Sequence, residues 1–361
     1  MRIFQASSLP PDYLVSLGGR PGEQESFAAR SRRIVEEGYG SAHLLLPVVR
    51  GEATAFFANG NDHFGQNLWA KENGLPVGTS EQSILLAQIE AHRTEVFYSL
   101  DPVRYGSSFV KRLPGCVRKS LCWRAAPSPG ADFAAYDLVL GNFPGILRQW
   151  SRQGCSTEYF SPAWDIENEP VGDLAARPID VIFVGAHSRH HRRRNRVLEA
   201  IAEKQADWNI VYCLASSRSS RLASTVLRAF PTFRKDGQST NLRRLIRPPI
   251  YGQALYGLLR TAKVVFNAHG EIAGDERGNM RCFEAMGCGS LLVTDKGKYP
   301  DGFVAHENYV DYANADEAIT TINDMLIQEC KRLRIAKAGI NLMCQKYNKV
   351  VQWADFQELA A

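Results

Sequence analysis

Residues 274–295 read GDERGNMRCFEAMGCGSLLVTD. The stretch opens polar and glycine-rich, passes through a short amphipathic segment and closes on an apolar run. Asn279 stands where a helix starting at Met280 takes its cap, and Gly287 and Gly289 are placed to end that helix and turn the chain into SLLVTD. A capped helix feeding a buried strand is half of an α/β unit. Doubly wound sheets bind ligands over the carboxyl ends of their strands, beside helix N-termini. The amides of Gly278, Asn279, Met280 and Arg281 are therefore expected to face a ligand. Glu276 lies in the loop before the cap and Glu284 one turn into the helix. Each carboxylate can accept two hydrogen bonds from vicinal hydroxyls, and Arg281 between them can balance a phosphate. Two acids around an anion-binding helix start suit a sugar–diphosphate–ribose molecule. The same acids would also suit a helix dipole with no ligand at all.

Upstream, the α/β pattern restarts after a break. FSPAWDIENEPVGDLAARP (160–178) carries three prolines, several acids and no apolar period, which predicts a linker between about 162 and 178. IDVIFVG (179–185) follows, with five apolar residues among seven, as a buried opening strand. RRNRVLEAIAEK reads as a helix, WNIVYCLA as a strand, YGQALYGLLRTA as a helix and KVVFNAH as a strand. After SLLVTD, residues 315–347 read as a long helical region with a break. The loop behind IDVIFVG is GAHSRHHRRRNR. Gly185 permits close approach of backbone to a ligand, and Arg189, Arg192, Arg193, Arg194 and Arg196 crowd a helix start suited to phosphate. Neither GxGxxG nor GxxxxGK[ST] occurs there, so a dinucleotide fingerprint and a P-loop lack support. The run has no interleaved aromatics, and Arg243, Arg244 and Arg247 lie far from it in sequence, so nucleic acid is not an expected partner.

The first half shows the same alternation. MRIF, SAHLLLPVV, TEVFYSL and YDLVLGN read as strands, and SFAARSRRIVEEGYG and SILLAQIEAH as helices, which predicts a parallel sheet covered on both faces. Residues 51–80 read as loop-rich, and long loops are often functional. Within them Asp62 and His63 are acid/base candidates, as is Asp101 at the end of SLDP.

The 361 residues, 45% apolar and 22% charged with a net charge of +5, suit two soluble domains and a mildly anionic partner. The eight cysteines are scattered without metal-ligand spacing and read as reduced thiols. The start, MRIFQASSLPPDYL, has no apolar core of signal-peptide length, and no run approaches the length of a membrane span. A cytoplasmic protein is expected, with contact at the inner membrane face allowed by the basic balance and by Trp69, Trp123 and Trp150.

Glu276-x7-Glu284 followed by AMGCG and an apolar strand resembles the E-x7-E signature of group 1 glycosyltransferases of the GT-B fold. FVGAHS with its Arg-rich helix, PPIYGQALYGLLRTAKVVFN (248–267), RCFEAMGCGSLLVTD and FVAHENYVDYANADEA resemble the spore-maturation-type branch, as does YDLVLGNFPGILRQWSRQGCSTEYFSPAWD (136–165). The resemblance implies two Rossmann-like domains facing across a cleft. The first, 1–165, would bind the acceptor, with a C-terminal helix at about 346–361 packing back on it. The second, 178–345, would bind a nucleotide sugar. Glu284 matches the acid that holds the donor ribose and Glu276 the acid that meets the donor sugar. The Gly278–Arg281 amides, with Met280 and Asn279 among them, would meet sugar and diphosphate. Gly185 with Arg193 or Arg194 matches the diphosphate loop, and Tyr251 stands in the matching segment before the next helix. The chain lacks a DxD triplet, and the resemblance implies transfer of a hexose without metal or cofactor, with retention favoured. The usual glycine–phenylalanine–glycine after the first acid is replaced by Arg277-Gly278-Asn279, which leaves the donor sugar open. The acceptor is equally open: a glycan, a lipid-linked glycan or a protein. An epimerase or phosphorylase of the same fold, or a non-catalytic nucleotide-binding scaffold, are the rival readings.

Overall fold

Both halves of the chain build a six-stranded, all-parallel sheet. The computed structural model describes residues 1–18, 25–165, 172–187, 191–216, 239–270 and 274–361. They divide into two units, Met1–Ala163 with Lys349–Ala361, and Trp164–Asn348.

In the first unit the strands are β1 (Ile3–Ser7), β2 (Ala55–Asn59), β3 (Val96–Ser99), β4 (Lys119–Trp123), β5 (Leu138–Gly141) and β6 (Thr157–Tyr159), in the order β2-β1-β3-β4-β5-β6. Ile3, Val96, Tyr98, Leu121 and Leu140 bury one face against Leu45, Phe160 and the C-terminal helix Lys349–Ala360, through Phe356 and Ala360. That helix is pinned by Lys349, whose Nζ donates to Leu44 O (2.7 Å) and Gln352 Oε1 (2.9 Å).

Two sequence expectations fail here. SAHLLLPVV is not a strand: Ser41–His43 is a 3₁₀ turn and Leu46–Val49 one turn of helix. Pro47 lacks an amide proton and fits the start of a helix, not the middle of a sheet ladder. The strand beside β1 instead comes from the stretch read as loop. Ala55–Asn59 pairs with Ile3–Ser7, and helix His63–Glu72 follows it. Five residues ending at Asn-Gly are too few for a period, so only pairing with β1 reveals them.

The second unit's strands are β7 (Ile179–His187), β8 (Ile210–Ser216), β9 (Ile246–Arg247), β10 (Ala262–Phe266), β11 (Leu291–Asp295) and β12 (Val310–Tyr312), in the order β12-β11-β10-β7-β8-β9. Val181, Phe183, Val264, Phe266, Leu291 and Val293 pack one face, and Ile182, Val265 and Leu292 the other. Each fully buried side chain of this kind contributes about 1.5–3 kcal/mol, which is why the strands read as unbroken apolar runs. Helices Ala315–Ile327 and Glu329–Gln345 resolve the long helical region. The ends of the expected linker are tied down. Arg177 donates to Ala262 O (2.9 Å), Ser290 Oγ (2.8 Å) and Cys288 O (2.8 Å), and the Trp164 indole packs edge-on against Tyr256. Among the described residues no helix is long and apolar enough to cross a membrane.

Candidate active site

Strands β7 and β10 are hydrogen-bonded neighbours but send the chain to opposite faces of their sheet. After β7 comes helix Arg192–Ala202, whose Val197, Leu198 and Ile201 pack with Val181 and Phe183. After β10 comes helix Met280–Gly287, whose Cys282, Phe283 and Met286 pack with Ile182 and Val265. Such a divergence opens a crevice at the carboxyl ends of the two strands. The two loops meet there: a Cβ on Gly270 would lie 2.8 Å from His191 Cε1, an approach only glycine allows without a shift.

A buried network organises the loop before helix Met280–Gly287. Asp295, at the end of β11, accepts from His269 N–H (3.0 Å), lies 2.8 Å from His269 Nδ1 and is ion-paired to Arg277 Nε at 2.7 Å. Arg277 also donates to the carbonyls of Gly274 (2.8 Å) and Glu276 (3.0 Å). His269 Nε2 accepts the amide protons of Gly278 (3.0 Å) and Asn279 (3.4 Å). An amide can only donate, so Nε2 carries the lone pair and Nδ1 the proton facing Asp295. Burial holds His269 below its ordinary pKa although Asp295 pulls the other way. Burial opposes ionisation of Asp295, yet His269 and Arg277 outweigh it and leave the carboxyl below its usual value.

This network corrects one expectation. Of the four amides expected to face a ligand, Gly278 and Asn279 turn inward to His269. Those of Met280 and Arg281 have no acceptor among the described residues. Asn279 occupies the cap position, but its side chain does not cap. It exchanges hydrogen bonds with Asn267, each 3.3 Å.

Glu284 is buried inside the same helix, 4% exposed. Arg281 Nη1 lies 2.6 Å from its Oε2, and Tyr256 O–H donates to Oε1 at 3.5 Å. The two acids of the motif differ in setting: Glu276 is half-buried in the loop, where it bridges Lys298 through the backbone. Tyr251 occupies the cap position of helix Gly252–Arg260, the helix that carries Tyr256, without a side-chain cap bond. Gly185 is in β7 near its carboxyl end. Arg194 is half-buried and donates to Ala186 O (2.6 Å), while the exposed Arg193 donates to Ala313 O (2.7 Å). Both guanidiniums are thus held near the crevice by one bond, with further donors in reserve. Arg189 lies outside the described residues.

In the first unit, His63 and Asp101 are joined through two residues the sequence did not single out. His63 Nδ1 lies 2.6 Å from Glu81 Oε1, Glu81 Oε2 lies 3.1 Å from Arg104, and Arg104 Nε lies 3.6 Å from Asp101. The chain of charges crosses the loops behind β2 and β3, and His63 is exposed. Asp62 is different. It is buried, with both carboxylate oxygens held by Arg30 at 2.6 and 2.8 Å. That occupancy makes it an anchor between two helices, and the acid/base expectation moves to His63 and Asp101.

Residues 193–357 match the family model described as "Glycosyl transferase-like". Among solved structures, Anabaena HepE in complex with UDP-glucose is similar over 99% of both chains, with 13% identity and a TM-score of 0.59. Sucrose-phosphate synthase from Thermosynechococcus elongatus is similar over 99% of this chain and 98% of that one, with 13% identity and a TM-score of 0.57. S. aureus TarM in complex with fondaparinux, alpha-GlcNAc-glycerol and UDP is similar over 78% of this chain and 59% of that one, with 12% identity and a TM-score of 0.53. No functionally curated protein matches the sequence. Residues 193–357 thus resemble glycosyltransferases, and the chain has the GT-B fold.

Sequence reasoning missed part of this network. His269 was read only as the end of a strand segment and Asp295 only as the end of SLLVTD. The usable signal was positional. Asp295 ends β11 and His269 stands just past the neighbouring β10, since Phe266 pairs with Val293, and that register sets Ala268 beside Asp295. Arg277 was seen only as a departure from the usual glycine–phenylalanine–glycine. In the structure it is the cation that neutralises Asp295.

Proposed function

We propose that the protein transfers a hexose from a nucleoside-diphosphate sugar to an acceptor hydroxyl. The observation that carries this reading is Glu284, a buried carboxylate beside Arg281 at an open helix start in a GT-B crevice. In the ligand-free molecule Arg281 neutralises Glu284. A donor diphosphate draws the guanidinium away and frees Oε2 for the ribose hydroxyls, with Oε1 held only by the long contact from Tyr256. The exchange replaces an ion pair by charge-assisted hydrogen bonds from the hydroxyls to the carboxylate. The Met280 and Arg281 amides add the positive end of the helix dipole, and Arg193 and Arg194 add guanidinium donors. The three guanidiniums, Arg281, Arg193 and Arg194, supply the charge that a metal would otherwise bring, hence a metal-independent reaction. Glu276 meets the donor sugar, and a retaining course follows from the E-x7-E resemblance.

The acceptor is assigned to the first unit, where Glu81 and Arg104 hold His63 and Asp101 together. HepE bound to UDP-glucose supports a uridine donor. TarM bound to a glycan and to a glycosylated glycerol supports a polyhydroxylated acceptor. All eight cysteines are free, which suits the reducing cytoplasm, with a membrane-face acceptor compatible with the basic balance.

The test is a thermal-shift panel of UDP, GDP, ADP and dTDP and their glucose conjugates, with and without EDTA, followed by donor hydrolysis and transfer with the best ligand. At a hundred times Kd a ligand adds about 2.7 kcal/mol to the folded state. A shift specific to one base and indifferent to EDTA is expected. Absence of any shift across the panel would remove the reading.

A further inference from the structure

The loop before helix Met280–Gly287 depends on a histidine to which the transfer reaction gives no chemical role. We propose that His269 is a positioning residue: by accepting the Gly278 and Asn279 amide protons it sets the helix start so that the Met280 and Arg281 amides serve the donor diphosphate. The inference rests on the donor-site reading above.

The geometry is that of a fixed acceptor. Asp295 takes the Nδ1 proton at 2.8 Å and, at 3.0 Å, the histidine's own backbone proton, so the ring can neither flip nor change tautomer without losing its partners. Arg277 clamps the second Asp295 oxygen at 2.7 Å and two loop carbonyls, so imidazole and loop share one anchor. A Cβ on Gly297 would lie 2.6 Å from Arg277 Cγ and 2.5 Å from Asp275 O, so the neighbouring turn leaves the clamp no room to slide. Protonation would turn Nε2 into a donor facing two donors. The amides would be expelled and the helix start released.

The charged and titratable groups around the ring come from five other places in the fold. Asp295 on β11 favours the imidazolium. Arg277 on the loop and Arg194 on helix Arg192–Ala202 oppose it. The Cys282 thiol lies 3.8 Å from Nε2, and Tyr299 stands edge-on with centroids 6.0 Å apart. Burial pushes both of those groups up, so neither is charged near neutrality. Burial outweighs Asp295 and leaves the neutral ring as the resting form. The contact is complete above the folded-state pKa, which lies below the ordinary 6.5, and is lost as pH falls through it.

The experiment is calorimetric titration of UDP, or of GDP if the panel selects that base, from pH 8 to below pH 5, on the wild type, His269→Gln and His269→Ala. The Gln carboxamide oxygen reaches the Nε2 position and accepts without titrating. Subtracting its curve also removes the titration of the nucleotide's own terminal phosphate. At pH 8 the Ala variant is expected to bind roughly tenfold more weakly and Gln to restore most of that, the scale of one hydrogen bond to a charged ligand. As pH falls through the lowered His269 pKa, the wild type is expected to drop below Gln by a further factor of about ten, in a limb carried below pH 5 as far as the fold allows. Should His269→Ala fail to fold, the wild-type and Gln curves decide alone. Overlaying curves for all three proteins, with UDP bound well, would overturn this inference and leave the donor site standing. No nucleotide binding by the wild type at any pH would overturn both.

Discussion

Glu284→Gln separates reading a ribose from merely holding the fold. The side chain is 4% exposed and its Oε2 lies 2.6 Å from Arg281. The substitution keeps the volume and removes the charge. Breaking a buried pair costs about 3–5 kcal/mol, but the Arg281 side chain retains 15% of its exposure and can turn to water, so a stability loss of about 2 kcal/mol is expected. The ligand sees a different balance. Two hydroxyl hydrogen bonds to a carboxylate contribute about 1.5–3 kcal/mol each, and the Gln oxygen keeps roughly one neutral bond of about 1 kcal/mol. The net loss is about 2–5 kcal/mol, or roughly 30- to 5,000-fold in Kd for UDP. Inorganic pyrophosphate has no ribose. Its binding should hold or tighten, because Arg281 no longer has a competing carboxylate. Calorimetry of both ligands on both proteins, at one ionic strength, reads the difference. Equal weakening of UDP and pyrophosphate would mean that Glu284 only shapes the site, and unchanged UDP binding would refute the donor assignment.

Three further outcomes are expected. Burial of the imidazole together with the Lys349 charge pushes the His43 pKa down to about 3. The unfolded chain takes up that proton first, so stability is complete above about pH 6.5 and falls by up to about 1.4 kcal/mol per unit below it. Urea unfolding at pH 7 and pH 5 should differ by about 2 kcal/mol more in the wild type than in His43→Leu. In Gly287→Ala the new methyl would lie 2.2 Å from Trp164 Cδ2, inside a packed core. Overpacking of that kind costs about 1–3 kcal/mol, and an unchanged melting temperature would show that the indole moves freely. Asp62→Asn breaks the buried pair with Arg30 and should cost about 3–5 kcal/mol while the surviving folded enzyme transfers at the wild-type kcat. His63→Gln should do the reverse, lowering kcat with the melting temperature intact. A kcat defect confined to Asp62→Asn would return the acid/base role to the aspartate.

Local chemistry made much of this protein legible from its sequence. IDVIFVG, KVVFNAH and SLLVTD are apolar on both parities because a parallel strand is covered on both faces, and covering leaves no solvent side to encode. The helix start at Met280, its glycine exit and the two acids are separated by fewer than a dozen residues, so spacing alone brings them to one place. Short strands escaped for the opposite reason. AFFAN and KSLCW become strands only by pairing with β1 and β3, and SAHLLLPVV looked like the missing partner because apolar runs do not record whether a ladder waits beside them.

What the tertiary structure alone decided is the direction of the polar groups. His269 and Asp295 are 26 residues apart and meet because β10 and β11 are adjacent and in register. That meeting turns the Gly278 and Asn279 amides toward His269 Nε2 and leaves those of Met280 and Arg281 without an acceptor among the described residues. A sequence states which residues can donate and accept. Only the closed fold, by removing water from between them, determines which donor finds which acceptor.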